Sequence, residues 1–143
     1  MAIVTITLDA SRLNAARDEM LANLAGMAST MEAVSVALRD GLPLNISAVD
    51  SPGLSEEYAA RKAKKYPGKP LLRASDALYS SFREGHDDNE AWAGPIGIPY
   101  DAAQNYGYPA GNLPERPYMY IDESLGDRVF GMICDAVMGK GAA

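Results

Sequence analysis

The sequence predicts an α+β fold, a single domain in which a long N-terminal helix and a C-terminal helix pack on a small, largely antiparallel sheet. Three observations predict it. Apolar residues recur at helical spacing in two stretches, one towards each end. The candidate strands crowd into the second half and are joined by short connections, which disfavours an alternating parallel sheet. The length of 143 residues suits one domain. A chain of this size buries roughly two-thirds of its unfolded surface and needs no disulfide or metal staple.

Residues 1–8 read as a strand, because IVTITL alternates Val4, Ile6 and Leu8 with Ile3, Thr5 and Thr7. Residues 9–40 read as one long helix capped by Asp9 or Ser11. Its stripe is Met20, Leu24, Met27, Met31, Val34 and Leu38, and Gly41 is its candidate left-handed end. Gly26 weakens this helix locally. Leu42 to Val49 has extended character, and Pro43 confines it to an edge or loop. Asp50-Ser51-Pro52-Gly53 is a turn. Residues 55–65 form a short basic helix with Ser55 as N-cap and Glu56 and Glu57 in the first turn. Residues 76–98 form a hairpin region around the polar turn Gly85 to Asn89, with Trp92, Ile96 and Ile98 on one side. Pro99 opens a short helix over 99–107 that carries Tyr100, Ala103 and Tyr106 and ends at Gly107. A Gly/Pro loop leads to a last strand, 118–121. Asp122 then caps a C-terminal helix over 122–138 whose apolar face is Leu125, Val129, Met132, Ile133, Ala136 and Val137.

Composition narrows the function. Nineteen acidic and thirteen basic residues give a net charge of -6, so the overall field repels nucleic acid. Six of the basic residues nevertheless fall together: Arg61, Lys62, Lys64, Lys65, Lys69 and Arg73, in a segment with no Asp or Glu. They form either a well-capped solvated helix or a contact for DNA or an acidic partner. One cysteine, Cys134, excludes an internal disulfide and suits an intracellular setting. No apolar run has the ~20 residues of a membrane span, and the first residues lack the pattern of a secretory signal. The expectation is a soluble protein without membrane contact.

No constellation for chemistry stands out, and neither a catalytic residue, a cofactor nor a metal is expected. His86 is the lone histidine and lies in a polar turn. With Asp87, Asp88 and Glu90 it could form an oxygen-rich cage, but the spacing is not that of a calcium loop. An enzyme with a metal there is the third-ranked expectation. Cys134 sits among Phe130, Ile133 and Val137, as a small buried apolar residue would. The tyrosines between Tyr100 and Tyr120 offer large contact area with polar tips, as interfaces prefer.

At this point IPYDAAQNYG followed by LPERPYMYI resembles the phage virion-morphogenesis, or tail-completion, family. Pro99, Tyr100, Gly107, Pro114, Arg116, Pro117 and Tyr118 match its pattern. Upstream, LSEEYAARKAKKYPGKPLLRASDALYSSF is similar to that family's basic helix, Pro-Leu-Leu-Arg stretch and Ser-aromatic pair. The likeness covers roughly residues 54 to 130. Asp101 stands where the family has alanine, and Gln104-Asn105 where it has His-Gln.

The resemblance implies a non-enzymatic structural protein of the tailed-phage neck or tail top, active in tail completion and head-tail joining. It implies a homo-oligomeric ring, with six subunits the expected number, in contact with other neck, tail or head-connector proteins. The setting would be the virion, assembled in the bacterial host cytoplasm. Interface candidates are Tyr100, Gln104, Tyr106, Tyr108, Arg116, Tyr118 and Tyr120. Arg116 is expected to be held by a carboxylate or by backbone carbonyls at the base of the Gly/Pro loop. A small nucleic-acid-binding or regulatory module using segment 61–73 is the alternative.

Overall fold

The computed structural model describes residues 10–140, so the strand expected over 1–8 lies outside the described residues. The elements are α1 (Ser11–Ala25), α2 (Ala28–Ala48), α3 (Glu56–Lys65), β1 (Phe82–His86), β2 (Ala91–Pro95), α4 (Asp101–Tyr106) and α5 (Glu123–Val137). Short 3₁₀ turns stand at Tyr79–Ser81 and Pro109–Gly111. The fold is α+β, as expected, and among the described residues its sheet is a single antiparallel hairpin.

The long helix expected over 9–40 is two helices meeting at about 60°. The break falls at Gly26, and burial decides it. Met27 is buried and opens the core stripe of α2, whereas α1 buries none of its residues. Without packing to hold the two in line, glycine's poor helix propensity ends α1. Leu24, placed on the apolar stripe, stays exposed, and so does Leu13 at 71%. Ala10, not Asp9 or Ser11, occupies the N-cap position of α1, and Ser11 is its first residue. One tether to the rest of the fold is Asn23 Nδ2, which donates to the Val137 carbonyl at 3.0 Å.

Conversely, α2 runs on through the segment expected to be extended. Pro43 inside a helix costs about 3 kcal/mol. The continuing stripe offsets that, because Leu42, Pro43 and Ile46 are all buried. Gly41, expected as a helix end, lies inside α2. A Cβ there would stand 2.8 Å from Leu125 Cδ2, so its bare backbone gives α5 room to approach.

The core is this α2 stripe (Met27, Met31, Val34, Leu38, Leu42 and Ile46) joined by Leu78, Phe82, Tyr118 and Leu125. β1 and β2 cover one side of α2 and α5 another. Asp122 caps α5 as expected, its Oδ1 accepting from Leu125 N at 2.7 Å. The expected face of α5 turns inward, with Val129, Met132, Ile133 and Ala136 packed on the core, while Cys134 is half-buried.

The hairpin pairs Phe82 with Pro95 through to His86 with Ala91. Trp92, Ile96 and Ile98, expected on one side, are divided, because Ile98 packs on the core. Ala91 and Ala93 pack on the core, while Trp92 and Ile96 are exposed. Trp92 lies across Gly85, where a Cβ would clash with the indole ring. The strand expected at 118–121 is absent among the described residues, and that segment pairs with no strand.

Candidate interaction surface

What the segment after Pro117 lacks in strand partners, two asparagine side chains supply. Asn105, at the end of α4, accepts from Tyr118 N and Met119 N through Oδ1 at 2.9 and 3.0 Å. Asn45, on α2, donates through Nδ2 to the carbonyls of Tyr118 and Tyr120 at 3.0 and 2.7 Å. Both side chains are buried, so these four backbone groups are paired without water. Neither asparagine was among the candidate residues. Asn105 stood inside the resembling stretch, and Asn45 stood in a segment read as extended.

Arg116 is 3% exposed. Its Nε and Nη2 donate to the carbonyls of Pro52 and Gly53 at 2.8 and 3.0 Å, and it has no carboxylate partner among the described residues. Carbonyls therefore hold it, but they belong to the turn before α3 and not to the Gly/Pro loop. The loop closes on itself instead, with Tyr108 and Leu113 exchanging backbone bonds at 2.8 and 3.1 Å. Gly107 leads into it with φ +78°, and a Cβ there would meet Glu115 N at 2.9 Å, so only glycine fits.

The tyrosines divide on this scaffold. Tyr118 is 1% exposed, its hydroxyl donating to the Asp101 carbonyl at 3.2 Å. It is a core residue, and with Arg116 it leaves the set of surface candidates. Tyr100, Tyr106, Tyr108 and Tyr120 remain on the surface, Tyr106 at 76% exposure. Burial, reinforced by Asp101 and the neighbouring tyrosines, pushes the Tyr118 phenol up to about 12. An unfolded chain ionises tyrosine near pH ~10, so the folded state keeps a proton that the unfolded state gives up. The stability this supplies is complete below pH ~10 and is lost as pH rises to about 12, roughly 2–3 kcal/mol in all. Tyr118→Phe should flatten that part of the profile when urea unfolding is followed between about pH 9 and about pH 11. A slope unchanged by the substitution would show that another group carries the alkaline loss.

The basic segment also divides. Lys62 is buried, and its Nζ donates to the carbonyls of Lys69 and Pro70 at 2.6 and 2.8 Å. Lys69 and Arg73 both bind Asp76, whose carboxyl they draw down to about 2, Arg73 contributing first. Arg73 also stacks over the Tyr79 ring at 4.0 Å. That leaves Arg61, Lys64 and Lys65 as exposed charges on α3. Half of the segment is thus structural, tying α3 to the stretch that follows it. Ser55 stands at the N-cap of α3, but its hydroxyl makes no capping bond.

A groove of about 670 Å³ opens between α3, the stretch from Leu71 to Leu78, α4 and the loop from Asn112 to Arg116. Leucines dominate its walls, and Tyr58 and Tyr100 flank it. Gln104 also lines it, and Gln104 Oε1 is closed to solvent yet accepts no hydrogen bond, the one such side-chain atom among the described residues. His86 lies at the end of β1, and the Asp87 carboxylate is occupied by the amides of Asn89 and Glu90, which hold its pKa below the usual value. No group of three His, Cys, Asp or Glu side chains among the described residues is placed to hold a metal. No single helix among them is long and apolar enough to cross a membrane.

Comparison with protein-family models, with curated proteins and with solved structures found no match to this chain.

Proposed function

We propose that this protein is a non-enzymatic structural component of a tailed phage, closing into a homo-oligomeric ring at the neck or tail top during tail completion and head-tail joining. The observation that carries this is the rigid mounting of exposed aromatic side chains. Tyr100, Tyr106, Tyr108 and Tyr120 project from backbone fixed by Asn45, Asn105, Gly107 and Arg116. Pre-fixed aromatic residues lose little freedom on docking and supply much of the energy at interfaces. The resemblance adds support, since Gly107, Arg116 and Tyr118 are both matched positions and the residues that set this shape. A ring needs two different patches on each subunit, and the aromatic surface would provide one of them. Head-connector and tail proteins are its proposed neighbours, and the virion its proposed place.

Light scattering with negative-stain imaging tests this. Wild type should form closed rings at micromolar concentration. Tyr106→Asp should weaken assembly at least tenfold, about 1.4 kcal/mol or more, while unfolding stability moves by less than ~0.5 kcal/mol. A variant that assembles like wild type removes the aromatic surface from the interface. The alternative, nucleic-acid binding by Arg61, Lys64 and Lys65, rests on their exposure alone. It predicts duplex affinity that falls steeply with salt and is lost in Lys64→Glu.

A further inference from the structure

We propose that the groove between α3, α4 and the Asn112–Arg116 loop receives the β1–β2 hairpin tip, with Trp92, of a second copy of the chain. This rests on the ring proposed above and names its second patch. Two properties of the groove select the occupant. Its volume of about 670 Å³ and its walls of Leu54, Leu72, Leu113, Tyr58 and Tyr100 suit an apolar group with some polar character. Arg61 is part of its lining, and Lys64 and Lys65 are exposed on the same helix. The pair Arg61–Glu57 spans 3.6 Å between two well-exposed side chains, so it does little to neutralise Arg61.

The hairpin tip meets each property. Asp87, Asp88 and Glu90 put three carboxylates within four residues. Asp87 is used in the turn, while Asp88 and Glu90 are exposed. Trp92 is beside them, 51% exposed and laid flat over Gly85, so it presents a large apolar surface. No hairpin residue lines the groove. One subunit can therefore offer tip and groove at once, a heterologous contact that closes into a ring when the rotation permits.

Trp92 is the chain's single tryptophan, so its fluorescence reports this contact directly. With the full-length protein, light scattering and Trp92 emission are followed together across concentration. Assembly should shift the emission to the blue and reduce acrylamide quenching severalfold. Arg61→Glu and Asp88→Lys, both at exposed positions, should each weaken assembly about tenfold or more, and the charge-swapped pair should recover most of it. Circular dichroism checks that each variant is folded. Rings in which Trp92 is quenched as in the monomer mean that another segment fills the groove, or that it is empty, and overturn this contact while the ring stands. Arg61→Glu rings as tight as wild type do the same. A mass that stays monomeric at every concentration overturns both the contact and the ring.

Discussion

Arg116→Ala should unfold at much lower urea than wild type, with a loss of about 3–5 kcal/mol. The guanidinium is buried and makes two charge-assisted bonds, to Pro52 O and Gly53 O. Each such bond contributes roughly 1.5–3 kcal/mol, and truncation strands two carbonyls beside a new void. These bonds join residues more than sixty positions apart, so they tie the approach to α3 to the segment after α4. Arg116→Lys keeps the charge but not the forked geometry, and should recover only part of the loss. The same change should widen the groove, which Arg116 also lines. Rings, if wild type forms them, should then weaken by more than the stability loss explains. Unfolding by urea, with the mass measured well below the midpoint, separates the two effects. A loss under ~1 kcal/mol would mean that water satisfies both carbonyls and that the clamp is incidental.

Wherever burial follows a single period, the sequence was legible. α5 illustrates this: its cap at Asp122 and its inward face were both readable from spacing. The hairpin was readable from the polar turn ahead of the Ala91 to Ile98 run, although its facing was not. The core beside α2 takes Ala91 and Ala93 and leaves the larger Trp92 exposed. The long helix misled in two ways. A stripe that continues past Gly26 in sequence bends in space, because the first half buries none of its residues. Pro43 argued for an end to α2, and burial of Leu42 and Ile46 outweighed it. Both are cases of tertiary packing overriding local propensity. At the candidate site, counting charges could not separate Lys62, spent on carbonyls, from Lys64, free at the surface. Counting aromatics likewise could not separate Tyr118 from Tyr106. The groove was not legible at all, since its walls come from four separate stretches.

Asn45→Leu and Asn105→Leu are each expected to cost about 2–4 kcal/mol, for reasons the sequence pattern hides. Tyr118 to Tyr120 reads as a strand in sequence and has no strand beside it. One asparagine serves its amides and the other its carbonyls, from α4 on one side and α2 on the other. Leucine has similar volume, so the loss reads the missing hydrogen bonds more than a cavity. The two variants should differ in hydrogen exchange. Asn105→Leu frees Tyr118 N and Met119 N, and these amides should exchange at least tenfold faster than in wild type at conditions where both proteins are folded. Asn45→Leu removes donors to carbonyls and leaves those two amides paired, so their exchange should change only with global stability. The double variant should lose less than the sum, because once one clamp is gone the segment is already loosened for the other. Strict additivity would show two independent anchors. It would also separate the exposed face, with Tyr120 on one anchor and Tyr106 beside the other, into parts that move independently, and an aromatic surface of that kind would not dock as one rigid patch.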